Sequence, residues 1–196
     1  AKEFGCSHGA VNMMLRKHGL RSKNHPHSSQ EIKIVNLLNE YKIEHETNSR
    51  KIISPLELDI FIPSKNLAIE VNGVYWHSEL QGKDKTYHLN KTLECEKKCI
   101  QLLQFWDVEV EQKWDIVSSM ILSKCGIYKN RIGARECSLK EIDSKTEKEF
   151  LNQNHLQGYR PSTICYGLYF QDELVSLMSF GKSRFNKKID WELLRF

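Results

Sequence analysis

Two short apolar segments separated by a polar turn are the clearest feature of the hydrophobic pattern. Leu56–Pro63 and Leu67–Val71 have the length and composition of buried strands. The residues Pro63-Ser64-Lys65-Asn66 connect them, and residues of this kind favour a tight turn. The pattern therefore predicts a hairpin, in which one acidic residue interrupts each strand: Asp59 in the first and Glu70 in the second.

Helical and strand patterns flank this hairpin. Ser28 and Ser29 precede an amphipathic helix that extends to about residue 41, and a strand is predicted at Glu44–Asn48. The downstream elements are a helix, a strand and a helix, at 83–99, Ile100–Trp106 and Glu109–Ser123. The order α-β-β-β-α-β-α predicts an α/β or α+β domain over residues 28–128, with a small mixed sheet flanked by helices.

A second pattern of strands and one helix occupies residues 131–196. The helix is predicted at Ser144–Asn154, capped by Ser144 with Glu147 three residues later. Gln171-Asp172 is the expected two-residue turn of a hairpin. The predicted strands are Glu136–Ile142, Thr163–Phe170, Glu173–Gly181 and Asp190–Phe196. This segment is predicted to be a separate α+β accessory domain.

Residues 1–24 match the spacing of a partial helix-turn-helix, with Ala1, Gly5, Val11 and Met14 as the packed positions. Ala1 would then lie inside the first helix, so a further helix is expected upstream. The second helix would enter the major groove of DNA, and its candidate contact residues are Ser7, His8, Asn12, Arg16 and Lys17. An ordinary helical hairpin is the alternative interpretation.

Charge supports a nucleic-acid partner. The net charge is +4, and residues 1–27 alone contain five lysines and arginines against one acidic residue. A solvated basic tail is the alternative. The chain lacks an apolar run long enough to cross a membrane, and a secretory signal is not apparent, so a cytoplasmic protein with no membrane partner is expected.

Reduced thiols are the default for the six cysteines. Cys95 and Cys99 would share one helix face, and with His88 they could hold zinc, but a fourth ligand is not evident. Small buried side chains are the more economical interpretation, and zinc is not expected.

Asp59 and Glu70 suggest a magnesium site. A charge inside an apolar strand is costly unless it is paired or metal-bound, and one shared divalent ion would satisfy both carboxylates. Mg²⁺ prefers such oxygen ligands, and Mn²⁺ is expected to substitute for it. His77 could orient water or protonate a leaving oxygen, and Glu31 could hold a metal-bound water or the histidine. The combination is typical of phosphodiester hydrolysis.

The arrangement of acid, ten residues, acid, one residue and a polar group is the skeleton of the PD-(D/E)xK nucleases. In more detail, residues 28–126 resemble the very-short-patch-repair (Vsr) endonucleases and the related homing endonucleases of phages. The matching segments are Asp59-Ile60-Phe61-Ile62-Pro63, Gly73 and Tyr75-Trp76-His77, with Tyr87-His88 and Lys91 downstream. This resemblance implies a restriction-endonuclease-like fold.

The resemblance also implies roles for individual residues. Asp59 would be a metal ligand, joined by Glu70 or by the backbone carbonyl of Val71. Asn72 stands where the superfamily usually has lysine, so Lys91 would have to supply that charge from the helix. The remaining catalytic positions are His77 in acid–base chemistry, with His88 as an alternative, and Glu31 as the helix acid.

Three further positions depend on the same resemblance. Tyr75 and Trp76 would wedge between DNA bases, with core packing as the alternative. Val74 stands where a cysteine ligand of the Vsr structural zinc would be expected, so that zinc is predicted to be missing.

The functional hypothesis is a metal-dependent DNA endonuclease acting on double-stranded DNA, of the phage homing type. The first alternative is a sequence-specific DNA-binding protein whose nuclease site has degenerated, since Asn72 replaces lysine. The second is an acyltransferase fused to a DNA-binding segment, because residues 134–196 resemble the first half of a GCN5-type acyltransferase. The glycine-rich cofactor loop of that family would begin only about where this segment ends.

Overall fold

Two four-stranded sheets organise the part of the chain described by the structure, a computed structural model. That part comprises residues 28–73, 86–184, 186 and 188–196. The elements of the first half are α1 (Ser29–Glu40), β1 (Glu46–Ser49), β2 (Leu58–Ile62), β3 (Leu67–Asn72), α2 (Tyr87–Lys97), β4 (Gln101–Trp106), α3 (Asp107–Gln112) and α4 (Trp114–Cys125). Those of the second half are β5 (Ser138–Glu141), α5 (Ser144–Asn154), β6 (Ile164–Phe170), β7 (Glu173–Gly181) and β8 (Glu192–Arg195).

The first sheet is mixed, with strand order β1-β2-β3-β4. Strands β1, β2 and β3 pair antiparallel, whereas β4 pairs parallel to β3. A short 3-10 turn at Pro63–Lys65 joins β2 to β3, and Asn66 closes it in the left-handed region at φ 46°. The parallel pairing requires a long connection, which contains α2.

Each face of the first sheet packs against helices because apolar side chains occur on both faces of its strands. Ile60 and Ile69 face a core formed with α1, α3 and α4, to which Ile34 and Leu38 belong. Phe61 and Ala68 point to the other face, where Cys95 of α2 and the loop residue Ile53 join them. Asp59 and Glu70 lie on this second face, because each is two residues from Phe61 or Ala68 along its strand.

The second sheet is antiparallel throughout, with order β5-β6-β7-β8. Helix α5 packs on one face through Leu151, which contacts Cys165 and Leu177 in a small core. Gln171 and Asp172 both have positive φ, at 49° and 64°, as a two-residue hairpin turn requires.

The predicted fold class is confirmed: a mixed sheet flanked by helices is followed by an α+β segment. Two local predictions were wrong. The helix predicted at Glu109–Ser123 is two helices, because Lys113 leaves helical geometry at ψ 36°. Asp143 rather than Ser144 caps α5, since its carboxylate accepts hydrogen bonds from the backbone N–H groups of Lys145 and Thr146.

The predicted helix-turn-helix at 1–24 lies outside the described residues. So do the first three positions of the helix predicted at 83–99, and the division of the chain into three domains remains a prediction. Within the described ranges, none of the helices combines the length and apolar character needed to span a membrane.

Helix α1 offers a matched test of this packing. Ile34 is fully buried in the first core, whereas Ile32 on the same helix is 36% exposed. Ile34→Ala is expected to lower the free energy of unfolding by about 2–5 kcal/mol, and Ile32→Ala by less than about 1 kcal/mol. Urea denaturation of both variants measures the difference. Equal losses would contradict the assigned orientation of α1.

Candidate active site

The end of the β2–β3 ladder brings Asp59 and Glu70 together. Regular pairing is found from Ile60 and Ile69 toward the turn. One position beyond, side chains replace the ladder: the backbone N–H of Asp59 donates to Glu70 Oε1 at 3.0 Å, and the N–H of Val71 donates to Asp59 Oδ2 at 3.0 Å. Each carboxylate therefore satisfies a backbone donor of the other strand, which fixes both side chains.

Helix α2 provides a cation to this pair. Lys91 and Cys95 are four residues apart, so they lie on one face of the helix, toward the sheet. Cys95 enters the core, and one turn earlier the ammonium of Lys91 forms a buried ion pair with Glu70 Oε2. Both side chains are more than nine-tenths buried. Since a buried ion is stable only when it is paired, Lys91 and Glu70 depend on each other.

A second polar chain ties Asn72 to the same helix. The amide of Asn72 donates to Gln104 Oε1 at 3.3 Å, and Gln104 Nε2 donates to Thr92 Oγ1 at 3.0 Å. The Thr92 hydroxyl in turn donates to the carbonyl of His88 at 2.9 Å. These bonds connect β3, β4 and α2, so the helix that carries Lys91 is held in position over the sheet.

The carboxylates border a cavity of about 320 Å³. Among the described residues, the charged lining comprises four carboxylates and two cations: Glu31, Glu57, Asp59, Glu70, Arg50 and Lys91. Val71, Asn72 and Tyr87 complete the lining. The acidic excess favours a bound cation.

Glu31 combines a structural task with a place at this cavity. It forms a capping box at the start of α1, where its Oε1 accepts from the N–H of Ser28 at 3.2 Å and Ser28 Oγ accepts from the N–H of Glu31 at 3.1 Å. Burial is the largest cause of the raised pKa of Asp59, and the negative charge of Glu31 adds to it. Glu31 therefore caps α1 and also borders the cavity at which the sequence predicts it to act.

Burial shifts both central carboxyl groups toward the protonated form, and repulsion by Asp59 adds to the shift of Glu70. Burial first, and then the charge of Asp59, raise the pKa of Glu70 to about 7, although Lys91 opposes the shift. Burial also raises the pKa of Asp59, against the hydrogen bond from Val71 and the charge of Lys91. A cation placed between the two carboxylates would relieve this repulsion.

The donor set fits a hard divalent cation. Over residues 28–73, 86–184, 186 and 188–196, no cluster of three or more His, Cys, Asp or Glu side chains is arranged to hold a metal ion. An ion here would therefore take two carboxylates, with Val71 as the candidate for a backbone ligand, and complete its shell with water. Mg²⁺ commonly binds in this way.

The structure thus brings together six of the candidate residues and leaves one outside the cavity lining. The residues that border the cavity are Asp59, Glu70, Val71, Asn72, Lys91 and Glu31. His88 is not part of the cavity lining, and its ring packs instead near Tyr87 and Trp106, at centroid distances of 5.5 and 6.4 Å. The other candidates lie outside the described residues: His77, Val74, Tyr75, Trp76, Ser7, His8, Asn12, Arg16 and Lys17.

The zinc alternative requires Cys95 and Cys99 to share a helix face, and that geometry was wrong. Helix α2 ends at Lys97, and Cys99 follows in the left-handed region at φ 56° and is exposed. Cys95 is buried in the second core, where burial raises the pKa of its thiol. Cys95 is therefore a small buried side chain, as the sequence analysis predicted in preference to a zinc ligand.

Sequence reasoning missed three residues of the site region. Gln104 interrupts an apolar strand in the way that Glu70 does, so the same argument could have identified it. Arg50 and Glu57 belong to the loop between β1 and β2, and nothing in their local sequence indicates that this loop borders the cavity.

The fold and the cavity define an α+β protein with an acidic site at the end of a hairpin. Among solved structures, the chain is similar to the catalytic domain of the homing endonuclease I-Bth0305I. The two are 28% identical, the match covers 50% of this chain and 94% of that domain, and the TM-score is 0.42. No protein-family model matches the chain, and no curated protein matches it.

Removing the cation of the buried pair should destabilise the protein in a pH-dependent way. Lys91→Met leaves Glu70 buried beside Asp59 without its counter-ion, and a loss of roughly 3–5 kcal/mol is expected at pH 8. The loss should be smaller at pH 5. Glu70 has a raised pKa in the folded state, so folding favours its proton uptake at low pH and loses that contribution as the pH rises past 7.

Urea denaturation at the two pH values measures this effect. The double variant Glu70→Gln/Lys91→Met is the control, because it removes the titrating carboxylate and should lose the pH dependence. An equal loss at pH 5 and pH 8 for Lys91→Met would contradict the pairing.

Proposed function

We propose that the protein is a metal-dependent DNA endonuclease that hydrolyses phosphodiester bonds at the cavity lined by Asp59 and Glu70. The observation that carries the proposal is the pair of crossing hydrogen bonds at the end of the β2–β3 ladder. They hold two carboxylates side by side at an open cavity, where purely structural side chains would be expected to be apolar.

The divalent ion would be held by Asp59 and Glu70, with the carbonyl of Val71 as a further ligand. When bound, it would supply an activated water molecule and stabilise negative charge on the phosphate. Mg²⁺ is the proposed ion, with Mn²⁺ able to replace it.

The protein side chains would fix the geometry of this reaction. Lys91 would hold the Glu70 carboxylate in its ligand orientation and supply the positive charge that Asn72 lacks. The hydrogen bonds of Asn72 to Gln104, and of Gln104 to Thr92, would keep α2 and its lysine in register with the sheet. Glu31 would orient a water molecule at the cavity.

The finer assignment is a Vsr-like homing endonuclease of phage type. It depends on the resemblance of residues 59–63, 73 and 75–77, and it gives His77 an acid–base role. DNA would be bound by the basic segment at 1–24, and Tyr75 and Trp76 would contact bases. A cytoplasmic location is part of the same proposal.

Asp59→Asn is expected to reduce cleavage of duplex DNA on the order of 100-fold or more in the presence of Mg²⁺. The amide keeps the shape of the side chain but removes the charge required at the metal. Asp172→Asn is the matched control, since Asp172 belongs to the β6–β7 hairpin turn, is not part of the cavity lining, and has a side chain that is 98% exposed. Plasmid nicking and linearisation under single-turnover conditions provide the rates.

Two outcomes would count against the proposed function. Cleavage by Asp59→Asn at the parent rate would show that the site is elsewhere. Specific DNA binding by the parent chain, with no cleavage in Mg²⁺ or Mn²⁺, would favour the degenerate DNA-binding protein instead.

The affinity for the metal ion should also depend on pH, and this can be measured without a cleavage assay. Protons compete with the ion for Glu70, whose pKa is about 7, so metal binds better above that value. Addition of Mg²⁺ or Mn²⁺ is expected to raise the melting temperature at pH 8 and to raise it less at pH 6. Differential scanning fluorimetry measures both shifts. A rise of equal size in Asp59→Asn would place the ion at another site.

A further inference from the structure

An exposed ion pair lies at the rim of the acidic cavity. Arg50 follows β1 and Glu57 precedes β2, and Arg50 Nε lies 2.6 Å from Glu57 Oε2. Both residues line the cavity that contains Asp59 and Glu70. The Arg50 side chain is 76% exposed and that of Glu57 is 35% exposed. Two of the described residues in the cavity lining are cations. Lys91 is buried against Glu70, so Arg50 is the one of these two that an incoming molecule would meet.

The loop that carries Arg50 is anchored in the protein interior. Ile53 is buried in the core beneath α2, and Ile52 and Leu56 pack against the same core. The N–H of Leu56 donates to the carbonyl of Ile53 at 2.9 Å, which closes a turn within the loop. The backbone at Arg50 is therefore fixed relative to the site, while its side chain reaches solvent.

The carboxylates around the cavity would repel a phosphate group, so a nearby positive charge would favour its binding. A phosphodiester that approaches four carboxylates is repelled unless positive charge receives it. An arginine guanidinium binds phosphate oxygens through two parallel N–H donors, which gives both charge and orientation. Because exposed ion pairs contribute little to stability, exchange of Glu57 for a phosphate costs little.

We propose that Arg50 is a phosphate-binding residue for the DNA backbone at the rim of the cavity. In the free protein Glu57 holds the guanidinium in position, and the phosphate displaces Glu57 when DNA binds. The proposal deepens the proposed function, because it takes DNA as the molecule that enters this site.

The competing explanation is that Arg50 and Glu57 only staple the two ends of their loop. The two explanations differ in what they predict for each partner. If the ion pair only stabilises the loop, removing either side chain should have the same effect on stability and DNA binding. If Arg50 binds phosphate, only removal of Arg50 should weaken DNA binding, and neutralising Glu57 should remove a competitor for the guanidinium.

Binding of a fluorescein-labelled DNA duplex by the full chain, measured by anisotropy over a range of salt concentrations, tests the proposal. All variants carry Asp59→Asn so that binding is measured without cleavage. Arg50→Ala is expected to weaken binding about 5- to 20-fold and to reduce the slope of log K against log salt by about 1. Arg50→Lys keeps the positive charge but removes the paired N–H donors of the guanidinium, so an intermediate loss of DNA affinity is expected.

Glu57→Gln is expected to bind at least as tightly as the Asp59→Asn parent. The matched control is Lys97→Ala, which removes a cation from another exposed ion pair, with Glu94 at 2.6 Å. Lys97 ends α2 near the start of β4, where Gln101 pairs with Leu67 at the opposite end of β3 from the site. Its loss should change DNA affinity less than about 2-fold.

Several results would overturn the proposal. They are equal losses of affinity and melting temperature in Arg50→Ala and Glu57→Gln, an unchanged salt slope in Arg50→Ala, and no measurable binding by the parent. The proposed nuclease function is tested separately, by cleavage assays on the chain that retains Asp59. If that chain binds DNA through Arg50 but does not cleave it, the phosphate-binding role of Arg50 is supported and the proposed hydrolysis is rejected.

Discussion

Where β2 and β3 separate, two carboxylates replace the missing ladder hydrogen bonds, and a buried ammonium lies against one of them. Asp59 and Glu70 each satisfy a backbone donor of the opposite strand, and Lys91 neutralises Glu70 from the helix above. Glu70 without Lys91 would be a costly buried charge, and Lys91 without Glu70 would be another. Because these two ions are stable only as a pair, and Asp59 is hydrogen-bonded across the same two strands, the hairpin and α2 hold a single arrangement at the cavity.

The carboxylates of Asp59 and Glu70 lie close together, and a bound cation would reduce the repulsion between them. Burial and like charge raise the pKa of Glu70 to about 7, so the free protein carries a carboxyl group near its titration point at neutral pH. Such perturbed groups are frequent where a protein binds ions or performs acid–base chemistry. The rim is also acidic through Glu31 and Glu57, and Arg50 supplies its exposed positive charge. We infer that the site is suited to an ion inside and a phosphate at its edge.

The sequence predicted the parts of this site that follow from strand period and apolar pattern. Asp59 and Glu70 were identifiable because each is an acid inside an apolar strand, and the turn between them fixed their proximity. Lys91 was a candidate through the resemblance to known nucleases, but its pairing with Glu70 depends on how α2 rotates over the sheet. The position of Arg50 and Glu57 could not be predicted, since the loop is placed by the burial of Ile53, a long-range contact. The break at Lys113 has no proline or glycine to mark it, and adjacent Asp143 and Ser144 are equally good caps by type.

We propose that Asp59 and Glu70 share one divalent ion. Crystals of the full chain grown with Mn²⁺ at pH 8, with data collected at the manganese absorption edge, would locate that ion. We expect an anomalous peak at about 2.0–2.3 Å from a carboxylate oxygen of Asp59 and from Glu70 or the Val71 carbonyl. An anomalous peak elsewhere, or none at this cavity while both carboxylates keep their crossing hydrogen bonds, would contradict it.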